Sequence, residues 1–165
     1  MPATAGGRQS AVLLYLFPRH DDWHIVLMRR PDYEGTHGGQ VSIPGGRLEC
    51  DENYEQAALR EFEEEIGISV KSGQLIGMLS DIFIPPSNYL VQPFVGYADQ
   101  PPCYTPDPLE VKEIIELPIA RLMSDAAVKQ GKVCMSNGAW TETPYFDVAG
   151  HMVWGATAMI LSEFK

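Results

Sequence analysis

The stretch from Asn53 to Ile66 holds neither Gly nor Pro, is rich in Ala and Glu, and stops at Gly67. Such a run reads as a helix ended by a glycine, whose left-handed backbone needs no Cβ. At about 100° per residue, with Glu61 at zero, Glu64 falls near 300° and Glu65 near 40°. Three carboxylates therefore share one face, while Ala58, Leu59, Phe62 and Ile66 form a stripe suited to a core. Ala57 lies on the acidic side and is small enough for another backbone to approach. Like charges at i,i+3 and i,i+4 cost a bare helix stability, and a solvated acidic face is the ordinary explanation for them. A second feature adds to this face, because Pro44-Gly45-Gly46 lies shortly before the helix. Hard oxygen ligands on a rigid face beside a Gly-rich loop suit Mg²⁺ or Mn²⁺, which would relieve the repulsion and bridge to phosphate. On the residues alone, both readings stand.

Around this helix the chain reads mainly as strands. Ala11 to Phe17 is apolar and bounded by Pro18, as a buried strand is, and Trp23 to Met28 follows across a hairpin carrying His20. The histidines His20 and His24 read as surface or strand positions. Arg29 to Gly46 is irregular, with a short strand over Gln40–Ile43. Leu75–Ile84 and Tyr89–Ala98 read as strands joined by Pro85-Pro86-Ser87-Asn88. Asp99–Pro108 is a loop rich in proline, Glu110–Glu116 a strand and Pro118–Met123 a short helix. Lys132–Met135 and Tyr145–Val148 are late strands, and Trp154–Phe164 is the closing helix. The whole, residues 1–165, reads as one α+β domain.

Charge narrows the ligand class. Lys and Arg number 12 against 22 Asp and Glu, for a net charge of −10. Such a surface repels nucleic acid and anionic membranes at long range, yet holds a phosphate-bearing molecule if a metal supplies local positive charge. No apolar run approaches the roughly 18–20 residues that a membrane span needs. Cys50, Cys103 and Cys134 form no CxxC, as expected of reduced thiols in a cytoplasmic protein. Met1–Ser10 has no signal-peptide core.

Written out, the central pattern is Gly46-x5-Glu52-x7-Arg60-Glu61-Phe62-x-Glu64-Glu65-x-Gly67-Ile68. It resembles the Nudix box (residues 46–68), with every fixed position of that family's pattern filled. The resemblance implies an α/β/α sandwich with a mixed central sheet. It also implies a hydrolase that splits the pyrophosphate of a nucleoside diphosphate derivative with Mg²⁺ or Mn²⁺. By the same resemblance Glu61, Glu64 and Glu65 are metal ligands and the Gly45 carbonyl a further one. Arg60 and Glu52 orient the cluster, and one of the three carboxylates serves as base, with Glu61 and Glu64 the catalytic candidates. The small-molecule pyrophosphate is the partner implied; a homodimer is left open.

The flanks resemble the coenzyme A pyrophosphatase group. The matching segments are Val26 to Arg30, His37 to Gly46, Ile84 to Gly96, Pro106 to Val111 and Trp154 to Ala158. The resemblance implies that CoA or acyl-CoA is cleaved to 3′,5′-ADP and 4′-phosphopantetheine. Arg29, Arg30, His37 and Gln40 are then the substrate-binding candidates. Where that group has arginine this chain has Gly35; Arg29 or Arg30 is the candidate to take over the phosphate contact. Glu110 is the candidate for an extra carboxylate from outside the box, swinging over the site from the start of a strand. Alternatives are a Nudix pyrophosphatase acting on ADP-ribose, NADH or another nucleoside diphosphate derivative, and a Nudix ligand sensor without catalysis. An intact acidic triad weighs against the sensor.

Overall fold

β1 (Arg8–Arg19) is the hub of the fold, and its sequence explains why. Its run of apolar residues leaves neither face polar, the pattern of a strand covered on both sides. A computed structural model describes residues 6–32, 39–135 and 137–165. There Ala11, Leu13, Tyr15 and Phe17 pack on one side against Ala57, Ala58, Phe62 and Ile66. Leu14 and Leu16 face the opposite core, with Leu122, Phe146, Val148, Val153, Ile160 and Leu161. Alternation along the strand thus feeds two cores.

In chain order β2 (Asp22–Arg29), β3 (Val41–Ser42) and β4 (Gly45–Arg47) follow β1, then α1 (Tyr54–Ile66). Next come β5 (Leu75–Met78), β6 (Ile82–Ile84), β7 (Tyr89–Tyr97), β8 (Glu113–Pro118) and α2 (Ile119–Met123). β9 (Val128–Cys134), β10 (Trp140–Val148), β11 (His151–Val153) and α3 (Gly155–Phe164) complete the described strands and α-helices, with short 3-10 turns at Ser72–Gln74 and Asp125–Ala127. The main sheet runs β3-β2-β1-β7-β5, with β4 on β1, β6 on β7 and β8 on β2. β1 and β7 pair in parallel from Arg8↔Tyr89 to Leu16↔Tyr97, and β1 and β2 pair antiparallel, so the sheet is mixed. With α1 on one face and α3 on the other, this is the α/β/α sandwich that the resemblance implied. β9, β10 and β11 form a separate antiparallel sheet. The β1–β2 hairpin turns through His20 and Asp21 at φ 50° and 62°, the left-handed pair of a two-residue turn.

Several elements differ from their sequence reading. The single strand over Leu75–Ile84 is two strands. The Ser80 N–H donates to the Glu163 carboxylate of α3 at 3.0 Å instead of to β7, which breaks the ladder between β5 and β6. The strand read from Glu110 starts at Glu113; Glu110 lies in a turn closed by Glu110 and Val111 N–H donating to the Asp107 carbonyl. β4 and β11 were not anticipated. β9 and β10 begin earlier than read, at Val128 and Trp140. His24 is a buried strand residue stacked on Phe17, with ring centroids 5.6 Å apart. Ala57 is fully buried. Among the described residues no helix is long and apolar enough to cross a membrane.

Candidate active site

α1 begins with a capping box. The Asn53 side chain accepts from Gln56 N–H at 2.8 Å, and the Gln56 side chain accepts from Asn53 N–H at 3.0 Å. It ends at Gly67, at φ 80°, whose N–H returns to the Glu63 carbonyl. Both ends of the acidic face are thus locally defined. The loop ahead of it is placed by β4, which pairs with β1 through Ser10↔Arg47, Ala11↔Gly46 and Val12↔Gly45. A Cβ on Gly45 would lie 2.2 Å from the Ala11 carbonyl oxygen, and one on Gly46 would lie 2.3 Å from the Glu61 carboxyl carbon. Only glycine lets this backbone touch both the sheet and the helix carboxylate.

The three carboxylates are not equivalent. Glu65 is 3% exposed, and its Oε1 accepts from Gly45 N–H at 2.8 Å. Burial pushes its carboxyl up to about 7; the Gly45 bond and Arg30 pull it down, while Glu61 and Glu110 push it further up. Glu61 is also raised, first by burial, against the pull of Arg60 and with Glu64 and Glu110 adding to the rise. Glu64 is exposed.

Arg60 joins the box into one network. Its Nε and Nη2 donate to Glu52 Oε1 and Oε2 at 2.7 and 3.0 Å. Nη1 reaches Glu61 at 2.9 Å and Glu64 at 3.1 Å. Nη2 also donates to the Arg47 carbonyl at 2.9 Å, so one guanidinium fixes helix and loop together. Arg60 holds the Glu52 carboxyl below the ordinary carboxylate range, helped by the Glu49 N–H.

Outside the box, the segment after the proline-rich loop docks on the end of α1. Thr105 and Asp107 N–H donate to the Ile66 and Glu65 carbonyls, each at 3.0 Å. These carbonyls are among the last-turn acceptors that a helix cannot satisfy internally. The turn brings the Glu110 carboxylate to 4.0 Å from Arg30, near enough to Glu61 and Glu65 for its charge to add to the rise of both carboxyls. Glu116 lies apart from the cluster, bonded to Arg19 at 3.1 Å and to the Tyr104 hydroxyl at 2.8 Å. Arg29 donates to Asp32 at 2.9 Å, and Asp32 also pairs with Lys112. Arg29 is thus paired with Asp32 at hydrogen-bond distance, and Arg30, whose charge acts on Glu65, is the arginine of the two that faces the cluster. The Gln40 carbonyl accepts from Arg30 N–H at 2.9 Å. His37 lies outside the described residues. The Asp32 and Lys112 pairing has no signal in the sequence, whereas the docked segment falls within the matching stretch Pro106 to Val111, which does not by itself place it on the end of α1.

Among the described residues no three acidic, His or Cys side chains stand at the spacing of a metal site. Arg60 bridges Glu61 and Glu64, and Glu65 is turned to the Gly45 N–H. The donor chemistry nevertheless fits a hard divalent cation. The donors that the resemblance implies are carboxylate oxygens and one backbone carbonyl, the hard oxygens such an ion takes, and the Glu61 and Glu65 carboxyls are raised first by burial and then by their acidic neighbours.

A NUDIX domain model matches residues 7–131. The chain belongs to the Nudix family. It is 31% identical over 142 residues to the mitochondrial coenzyme A diphosphatase NUDT8 of Homo sapiens, covering 85% of this chain and 60% of that protein. It is also 31% identical over 157 residues to the uncharacterized Nudix hydrolase NudL of Photorhabdus laumondii, covering 94% and 82%. The chloroplastic Nudix hydrolase 22 of Arabidopsis thaliana is 30% identical, and the chain spans 53% of its length. Thus the chain spans little more than half of the human and Arabidopsis relatives. The fold is shared with a MutT/nudix family protein from Enterococcus faecalis, at a TM-score of 0.67 and 15% identity, covering 99% of this chain and 63% of that one. It is shared also with a MutT NUDIX hydrolase from Burkholderia pseudomallei, at 0.61 and 17%, covering 96% and 98%.

Proposed function

We propose that this Nudix chain hydrolyses the pyrophosphate bond of a nucleoside diphosphate derivative, and that CoA or acyl-CoA is its substrate class. The observation that carries the reading is the Arg60 network. One guanidinium bonds Glu52, Glu61, Glu64 and the Arg47 carbonyl, and the buried Glu65 is tied to the loop at Gly45. A structural salt bridge needs one partner; a guanidinium shared among three carboxylates holds them for use. The CoA preference is supported by the flanking segments and by the human relative's name, coenzyme A diphosphatase, at 31% identity.

In this proposal Glu61, Glu64, Glu65 and the Gly45 carbonyl hold Mg²⁺ or Mn²⁺, which supplies charge neutralisation for phosphate oxygens and a more acidic water. Arg60 keeps Glu61 and Glu64 in register, and one of these two, both less buried than Glu65, takes the proton. Arg30 contacts a phosphoryl oxygen in the role that Gly35 cannot fill.

The test is a product-mass screen over CoA, acetyl-CoA, ADP-ribose, NADH and dinucleoside polyphosphates, with Mg²⁺ and with Mn²⁺. CoA should yield 3′,5′-ADP and 4′-phosphopantetheine, with oxygen-18 from water in only one product. Cleavage of ADP-ribose without CoA favours the second reading, which is supported by the fold shared with the NUDIX domain of Shewanella oneidensis NrtR complexed with ADP ribose, at a TM-score of 0.59. Binding without turnover of any of these favours the sensor.

A further inference from the structure

Arg30 and Glu110 make a loose pair beside the carboxylate cluster, 4.0 Å apart, with the Glu110 side chain 55% exposed. We propose that Arg30 exchanges partners, facing Glu110 in the free protein and a phosphoryl oxygen of a pyrophosphate-bearing anion in the complex. Glu110 is thus a built-in competitor for the phosphate position. This rests on the pyrophosphohydrolase reading above.

The backbone on both sides is fixed by its own hydrogen bonds. Arg30 N–H is held by the Gln40 carbonyl, and Lys112 N–H by the Arg29 carbonyl, each at 2.9 Å. Glu110 N–H closes a turn on Asp107, whose own N–H is bonded to the end of α1. The two charged ends can therefore part without moving the chain. An exposed ion pair at this separation is worth at most about 1 kcal/mol, so little opposes the exchange. A guanidinium gains more from a phosphate, which accepts two parallel N–H bonds. Arg29 is the less suited of the two, since Asp32 holds it at 2.9 Å against the 4.0 Å between Arg30 and Glu110.

The exchange predicts that neutralising Glu110 tightens anion binding through Arg30. Methylenediphosphonate, which cannot be hydrolysed at its P–C–P bridge, is titrated with Mg²⁺ by calorimetry into wild type, Glu110→Gln, Arg30→Gln and the double variant. Melting curves verify that each variant is folded. Glu110→Gln should bind about 2–5-fold more tightly, the factor matching loss of an exposed counterion. Arg30→Gln should bind about 10-fold more weakly. In the Arg30→Gln background the tightening should fall to less than half. Equal tightening in both backgrounds would overturn the exchange, because Glu110 would then act only through its charge. Weaker binding by Glu110→Gln would overturn it as well, by making Glu110 a ligand of the metal–bisphosphonate complex. No binding by wild type would remove the pyrophosphohydrolase reading and this inference together, whereas the first two failures leave that reading standing.

Discussion

Replacing Glu65 by Gln should raise the stability of the metal-free protein at alkaline pH while abolishing most of its turnover. Glu65 is 3% exposed and receives one hydrogen bond, from Gly45 N–H, which the amide oxygen of Gln can also accept. Burial lifts its carboxyl from 4.5 to about 7, so the folded protein prefers it protonated. The sign follows from linkage. The carboxyl is uncharged in both states well below pH 4.5, and its ionisation cost develops as pH rises towards and through about 7. The gap between these two values corresponds to roughly 3 kcal/mol above pH 7, most of it appearing between pH 5 and pH 8. Glu65→Gln never ionises here and escapes that cost. The depressed carboxyls of Asp32, Glu52 and Asp147 act with the opposite sign but are common to both proteins, and so cancel in the difference. Thermal melts in EDTA at pH 5, 6, 7 and 8 should therefore show the variant gaining on wild type by about 2–3 kcal/mol, or roughly 5–10 °C in Tm. Assayed with Mg²⁺, the same variant should turn over about 10²-fold more slowly, since a charged ligand has been lost. A stability difference that stays flat with pH would refute the burial argument, and near-wild-type turnover would refute the metal-ligand assignment.

Three further outcomes test the rest of the site. Arg60→Lys cannot bond Glu52, Glu61, Glu64 and the Arg47 carbonyl at once, so steady-state kinetics should show kcat lower by about 10-fold or more, with a melting loss of about 1–3 kcal/mol. Gly46→Ala drives a Cβ to 2.3 Å from the Glu61 carboxyl carbon; displacement of that carboxylate should remove most turnover, and unchanged kinetics would count against Glu61. Glu110→Gln should lower KM with little change in Tm, whereas Glu116→Gln, which disturbs the bonds to Arg19 and Tyr104, should lower Tm with a smaller change in KM. Differential scanning fluorimetry beside the kinetic assay separates the two.

The acidic face was legible because a helix is local. Its period follows from i to i+4 bonds, its start from Asn53 and Gln56, its stop from Gly67, so the angles among Glu61, Glu64 and Glu65 follow from spacing alone. The apolar run of β1 likewise reads as a strand covered on two faces without knowledge of what covers it. Burial and partnership could not be read in this way. Gly45 and Gly46 have no intrinsic preference for a strand; pairing with Ser10–Val12 makes them β4, and that pairing brings the Gly45 N–H onto Glu65. Glu64 and Glu65 are neighbours in sequence with the same chemistry, yet one is in solvent and the other sealed between helix and loop. Arg29 and Arg30 are equivalent as letters, and only the position of Asp32 and Lys112 takes one away from the cluster. Glu110 was read at the head of a strand and proved to sit in a turn hung from the end of α1. The deciding terms are a strand pairing, a burial, a docked turn and an ion pair, most of them set by residues distant in the chain. Such terms vary steeply with a few ångströms that local periodicity does not encode.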